Sequence, residues 1–301
     1  MLGRLRMSVD EAIVKYGELA QRVFSEVKSP LSRDGRFSAT KFEEVIKEIV
    51  FERTGNADER MMDTRSEGAC KTYAVYNPLP ECRGADPSPS FVCAMPALDI
   101  AAGTPRLFRT YRAPKNETFD CTIWEAARAT TAAPTFFKRI TIGTLGSSQS
   151  YVDGGLGCNN PVMQVLEEAV LMFPGRHLSC VISIGTGKAQ MIKIPPPTLL
   201  RQTLPSNVVK AMRGIATDSE RNAQDMMRRF QGAQNVYFRF NVEQGLQKVR
   251  LDQWERLDEV TAHSEQYMAN FEVDQKLELA VIAVMEKQNV VSPRQIGKIL
   301  V

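Results

Sequence analysis

Asp153 heads the one stretch of this sequence whose residue types and spacing suggest a reaction: Ser150-Tyr-Val-Asp-Gly-Gly-Leu-Gly-Cys-Asn-Asn-Pro161. A short apolar approach, Tyr151-Val152, ends on a carboxylate, and Gly154, Gly155 and Gly157 follow. The pattern predicts a strand with an acidic tip, a tight turn taken by glycines with φ > 0, and a helix opened by Pro161. A carboxylate at the C-terminal tip of a strand stands where α/β sheets do their chemistry. A turn Asp that caps its own backbone gives the same local pattern. The rest of the chain has to decide between the two.

Other candidates are weaker. Val181-Ile-Ser-Ile-Gly-Thr-Gly-Lys188 lacks the first glycine of a phosphate loop, and Ala189 stands where the hydroxyl should be. As a nucleophile elbow it has Ile184 and Lys188 at the two glycine positions around Thr186. A strand end with a glycine turn accounts for it better. His177, in a loop before a strand, and His263, off an apolar helix seam, both read as surface residues, so a Ser-His-Asp triad has no histidine to use. Arg128, between Ala127 and Ala129, suits an ion pair better than an anionic ligand. The Met/Arg run at 210–229 reads as a helix with one core face and one solvated face, rather than as a membrane-surface helix.

Strands and helices alternate around these residues. Ser8-Val-Asp-Glu11 is a capping box opening a helix over 9–27. Thr40-Lys-Phe-Glu43 predicts a second box, before a helix with Phe42, Val45, Ile46, Ile49 and Val50 inward, ending near Gly55. Residues 72–90 read as an irregular insertion. Residues 91–95 predict a strand, paired with 106–111 across a hairpin at 102–104. Residues 122–130 predict a helix of small residues, stopping before Pro134, and 140–143 a short strand. The helix after Pro161 should bury Val162, Val165, Leu166, Ala169, Val170 and Phe173, with Glu167 and Glu168 outward. Residues 178–184 read as a central parallel strand, 208–230 as an amphipathic helix, 236–242 as a strand, and 251–287 as one long helix. Its seam would run through Trp254, Leu257, Val260, Ser264, Tyr267 and Phe271. The fold class is α/β.

Composition narrows the function. The 301 residues are 43% hydrophobic and 24% charged, an ordinary globular balance. A net charge of +3 with mixed signs argues against a nucleic-acid partner and against a polybasic membrane anchor. No signal-peptide core or apolar run of membrane-spanning length occurs. The six cysteines, at 70, 82, 93, 121, 158 and 180, form no C-x-x-C pair, and the two histidines have no metal spacing, so free thiols in a reducing compartment fit best.

Three blocks in order, Trp124-Glu-Ala-Ala-Arg-Ala-Thr-Thr-Ala-Ala-Pro-Thr-Phe-Phe137, Val152-Asp-Gly-Gly155 with Asn159-Asn-Pro161, and Ser183-Ile-Gly-Thr-Gly187, resemble the patatin-like phospholipase family, in particular its fungal branch. The resemblance covers residues 1–285 apart from 72–90. It implies a three-layer α/β/α fold with a mainly parallel central sheet. It also implies a serine acyl hydrolase of lipid esters, phospholipid or acylglycerol, working by a Ser-Asp dyad without a histidine. Asp153, in the motif Asp153-Gly154-Gly155, would be the general base, and a glycine-rich loop would supply the oxyanion donors. No cofactor and no metal are implied. The substrate would lie at a lipid surface, the protein would be cytoplasmic, free or peripheral to membranes, and further fused or partner modules are an open expectation.

The sequence departs from the family in two ways. It has no Gly-x-Ser-x-Gly and no Asp-Gly-Gly-Gly-x-Arg loop. In relatives, a segment like Met1–Met7 is the far end of the elbow helix. The expectation is therefore a domain over 1–288 that lacks its nucleophile Ser, oxyanion loop and first strands, followed by a tail at 289–301. Such a chain should be inactive alone. Residues 72–90 have no counterpart in relatives, which suggests a retained intron or a genuine surface loop. The alternative function is a non-catalytic patatin-fold binding or regulatory protein, or a gene fragment.

Overall fold

A computed structural model describes residues 1–28, 35–63, 71–73, 91–93, 97–99, 105–113, 120–134, 136–143, 148–187, 219–287 and 291–292. The chain divides into two compact units, Met1–Pro161 and Val162–Val301.

In the first unit, helix α1 spans Val9–Phe24. The predicted capping box forms: Ser8 Oγ accepts from the Glu11 N–H, and the Glu11 carboxylate accepts from the Ser8 N–H. Helix α2 spans Ala39–Thr54, but its cap is Ser38 rather than Thr40. The Ser38 backbone is extended and its hydroxyl accepts from the Lys41 N–H at 3.2 Å. With Lys at the third position no reciprocal box can close. All five predicted inward residues of α2 are buried, and Gly55 ends it in the left-handed region at φ 76°. Helix α3, Ile123–Thr130, carries a box the sequence reading overlooked, Thr122 with Glu125. Ala126 and Ala129 are completely buried, because small side chains let α3 lie close to its neighbours. Residues 3–5 form a turn rather than a helix end, and Arg6 has φ 50°, which no helix tolerates. Leu5 and Met7 nonetheless enter the same core as Val23, Phe37, Val50 and Phe137.

Among the described residues this unit holds six strands, β1 (Lys71–Tyr73), β2 (Phe91–Cys93), β3 (Ala97–Asp99), β4 (Pro105–Arg106), β5 (Ile140–Ile142) and β6 (Gln149–Val152), and the one-turn helix α4 (Gly155–Cys158) follows β6. β1 and β2 pair in parallel, while β4-β3-β6-β5 form a sheet that is antiparallel throughout. The strand that carries Asp153 therefore sits in an antiparallel sheet, not in a mainly parallel one. The short connections 100–104 and 143–148 permit only hairpin-like pairing of β3 with β4 and β5 with β6. The predicted hairpin also shifts: Arg106 pairs with Ala97, not with residues 91–95. Beyond Arg106 the chain leaves the ladder, and Leu107, Phe108, Tyr111 and Ala113 are buried. Residues 74–90, most of the predicted insertion, lie outside the described residues.

In the second unit, α5 (Val162–Met172), β7 (Val181–Ile184), α6 (219–229), β8 (Tyr237–Phe240), α7 (Leu257–Met268) and α8 (Phe271–Glu286) follow in order. β7 and β8 run parallel, with Val181 opposite Tyr237 and Ile184 opposite Phe240. The expected run 178–184 is split. Leu178 bridges Val291, and burial alternates along β7, with Ile182 and Ile184 exposed. Val291, placed in a tail by the sequence reading, is thus part of a core with Val162, Leu166, Val181 and Met226. In α5 Glu167 is exposed but Glu168 is buried, against expectation. The long C-terminal helix is two: Asn270 caps α8 by accepting from the Glu272 N–H, and Phe271, predicted on the seam, is 71% exposed. Of the predicted 208–230 helix, residues 219–229 are helical and 208–218 lie outside the described residues.

Candidate active site

Asp153 follows directly on β6, as predicted, and two supports fix its backbone. Its N–H donates to the Ala132 carbonyl at 3.1 Å, just past the end of α3. Two residues upstream, Tyr151 is buried and pairs with Ile140 of β5 on one side and Asp99 of β3 on the other. The Tyr151 ring meets Phe108 edge-on at 5.3 Å. The carboxylate is half-buried, and its Oδ1 accepts from the Gly155 N–H at 2.7 Å. Burial pushes the Asp153 carboxyl up to about 6, with the Gly155 N–H acting against that rise.

The glycines do something other than expected. Gly154 has φ −67°, an ordinary right-handed value, and neither it nor Gly155 has φ > 0. The backbone instead enters a one-turn helix, Gly155–Cys158, whose Cys158 N–H returns to the Gly154 carbonyl at 2.8 Å. Both glycines are buried, so small size rather than special dihedrals is what this turn uses. Asn160 is 2% exposed and closes the loop before Pro161, which stands one residue ahead of α5. The arrangement is an Asx-type cap that holds a carboxyl of raised proton affinity. A carboxylate with its proton affinity raised into the neutral range can take a proton from a hydroxyl or water.

Arg128 sits on α3, which packs against β6. Its side chain is 1% exposed and its Nε donates to Glu43 Oε1 of α2 at 3.2 Å. Nη2 donates to the Lys138 carbonyl, and Nη1 has no hydrogen-bond partner among the described residues. The guanidinium carbon stands 5.8 Å from the Phe137 ring centroid. The expected ion pair is present, but it is buried and joins residues 85 positions apart. No local pattern names Glu43 as that partner.

The other candidates are not brought into this site. In the second unit Ser183 Oγ accepts from Arg239 Nη1 at 2.9 Å, and the Gly187 N–H donates to Asn241 Oδ1 at 2.8 Å. A Cβ at Gly185 would stand 2.3 Å from Asn241 Oδ1, so this glycine admits the Asn241 amide. The Gly185-Thr-Gly187 turn is occupied by the Asn241 side chain, as a structural turn is. His177 is exposed, and His263 is half-buried with its ring against Gly245. Among the described residues no group of three or more His, Cys, Asp or Glu could hold a metal ion, and no helix is long and apolar enough to cross a membrane.

Comparison with known proteins gives the site a context. The family described as Patatin-like phospholipase matches residues 5–166. Calcium-independent phospholipase A2-gamma of Mus musculus is 29% identical over 257 residues, covering 80% of this chain and 28% of that protein. The Oryctolagus cuniculus protein of the same name is 27% identical over 304 residues, covering 95% and 34%. "Probable inactive patatin-like protein 9" of Arabidopsis thaliana is 28% identical over 208 residues, covering 66% and 47%. The chain thus spans about a third of the length of the phospholipase relatives, 28% and 34% in the two given.

Proposed function

Since the chain belongs to the patatin-like phospholipase family, we propose that it carries the general-base half of a lipid acyl hydrolase, with Asp153 as the base of a Ser-Asp dyad. The observation that carries this reading is the half-buried Asp153 carboxyl at the end of β6, raised to about 6 and aimed by the Gly155 N–H. Above that pH it is ionised and can accept the proton of a serine hydroxyl. The serine oxygen then attacks the ester carbonyl, and the alcohol leaves with that proton. Water releases the acyl group from the serine in a second, equivalent step. The reaction uses no metal and no organic cofactor, and its substrate is a phospholipid or acylglycerol ester at a lipid surface. The protein works in the cytoplasm, free or at membrane surfaces, and the three blocks taken together resemble the fungal branch.

The 301 residues contain no Gly-x-Ser-x-Gly. The proposal therefore assigns the nucleophile, the oxyanion loop and the first strands of a three-layer α/β/α fold to polypeptide outside these residues. Residues 1–288 then form the rest of that domain, and the insertion expected at 72–90 starts after Tyr73, because 72–73 belong to β1. The chain as written does not hydrolyse esters. A second reading, a patatin fold retained for binding or regulation, draws support from the relative named as inactive. Ester hydrolysis, measured on the 301 residues and on the same chain joined to a segment bearing Gly-x-Ser-x-Gly, separates the two. Turnover confined to the extended chain and abolished by Asp153→Ala establishes the enzyme. No turnover in either establishes the non-catalytic protein, and turnover insensitive to Asp153→Ala refutes the dyad.

A further inference from the structure

We propose that Arg128 is a positioning residue for Asp153: its guanidinium clasps two of the segments that hold the Asp153 backbone in place. The inference rests on the reading of Asp153 as the working carboxylate. Asp153 is supported by the Ala132 carbonyl and by the pairing of β6 with β5 and with β3. Arg128 engages the chain on the first two, the end of α3 and the start of β5. It sits within α3, four residues before Ala132, and its Nη2 binds the Lys138 carbonyl, two residues before Ile140 of β5. Between these points the chain makes the loop 131–139. The clasp therefore closes that loop at its base, and the salt bridge to Glu43 anchors it to α2. Phe137, under the guanidinium, packs on Phe24, Phe37 and Phe42, so the clasp is backed by an aromatic wall.

The residue type supports this reading over a filler role. A planar fork donates to a carboxylate and a carbonyl from separate nitrogens held in fixed geometry, whereas an ammonium on a flexible stem holds the same two acceptors less rigidly. Burying that charge is costly, and an apolar side chain of the same volume serves packing alone at least as well. Arg128 also leaves Nη1 without a partner among the described residues, a further cost that packing does not require. What the fork provides is the joint fixing of α2, the end of α3 and the start of β5.

The sign of one titration separates positioning from electrostatics. Burial raises the Asp153 carboxyl, and the Gly155 N–H acts against that rise. If Arg128 acted through its charge, removing it would raise the Asp153 midpoint. If it acts by clasping, removing it lets the carboxylate hydrate and the midpoint falls. The experiment follows the Asp153 Cγ resonance, assigned by its loss in Asp153→Asn, against pH in the 301-residue chain. Arg128→Met should lower the midpoint by about one pH unit, and Arg128→Lys and Glu43→Gln by part of that. Val50→Ala, a cavity elsewhere in the same core, should leave it unchanged at a comparable loss of melting temperature. If Arg128→Met does not fold, Glu43→Gln carries the test, because Glu43 is partly exposed and only the anchor is lost. A midpoint unchanged or raised in the Arg128 and Glu43 variants, or lowered equally by Val50→Ala, overturns the proposal. This titration does not depend on ester turnover. Failure of the dyad reading in the hydrolysis assay would leave a positive clasp result standing, and the converse also holds.

Discussion

Replacing Asp153 by Asn removes a charge that the fold accommodates at a cost, and the effect has a defined sign and pH window. The Asp153 carboxyl is raised from 3.8 to about 6 in the folded chain, chiefly by burial. A raised acid favours its protonated form when folded. Its stabilising contribution is fully present below pH 3.8 and is lost as pH rises through about 6. That interval corresponds to about 3 kcal/mol at about 1.36 kcal/mol per pKa unit. Asn keeps the acceptor for the Gly155 N–H. The charge-assisted part of that bond is already contained in the net rise. Asp153→Asn should therefore be stabilising by about 2–3 kcal/mol at pH 8 and close to neutral at pH 4. Urea unfolding in a Trp254→Phe background, where Trp124 fluorescence reports on the first unit, measures both values. All other titrations are common to the two proteins and cancel in the difference. A pH 8 minus pH 4 difference below about 0.5 kcal/mol would show that the carboxyl is not held in its protonated form by burial. The premise of the proposed base would then fail. Stability gained by removing a residue from a site is the pattern expected of a functional group rather than a structural one.

Four further outcomes follow from particular contacts. In a polypeptide that supplies the serine, kcat/KM should rise about tenfold per pH unit up to about 6 and level off above it, because only ionised Asp153 accepts the proton. Thr122→Ala opens the capping box of α3 and should cost about 1 kcal/mol in chemical denaturation, with Thr122→Ser near neutral. Gly55→Ala meets no neighbouring atom but must adopt φ 76°, so it should lose about 1 kcal/mol from backbone strain alone, and Gly55→Asn less. Gly185→Ala drives a methyl into Asn241 and should destabilise the second unit by about 1–3 kcal/mol, with Asn241→Ala in the same chain restoring part of the loss.

The parts of this molecule legible in the sequence are those governed by short-range rules. The Ser8–Glu11 box, the buried face of α2, the Gly55 stop and the strand leading to Asp153 each depend on residues within four or five positions of one another. The misreadings have an equally local cause. Thr40 and Ser38 both satisfy the chemistry of a cap, and only the extended backbone at Ser38 decides between them. Glu168 looks like a surface residue because charge usually is, yet α5 turns it inward. Continuous helical periodicity across 251–287 conceals the break at Asn270, since an Asn that caps a new helix leaves the apolar spacing on either side intact.

Asp153 itself shows where reading by residue type stops. Its two glycines predicted a left-handed turn, because that is what glycine pairs most often do. They are used for their size instead, letting a one-turn helix lie against the strand end. The residues that fix the carboxylate are still less visible. Ala132 contributes a carbonyl, Lys138 contributes a carbonyl to Arg128, and neither side chain signals this. Glu43 pairs with Arg128 across 85 residues. A sequence names the group that could react, because reactivity belongs to a side chain. It does not name the groups that hold it, because much of the holding is done by backbone atoms that every residue possesses. The Arg128 titration is therefore the more searching test of this site, since it asks whether positioning that the sequence could not reveal controls the one property that catalysis would use.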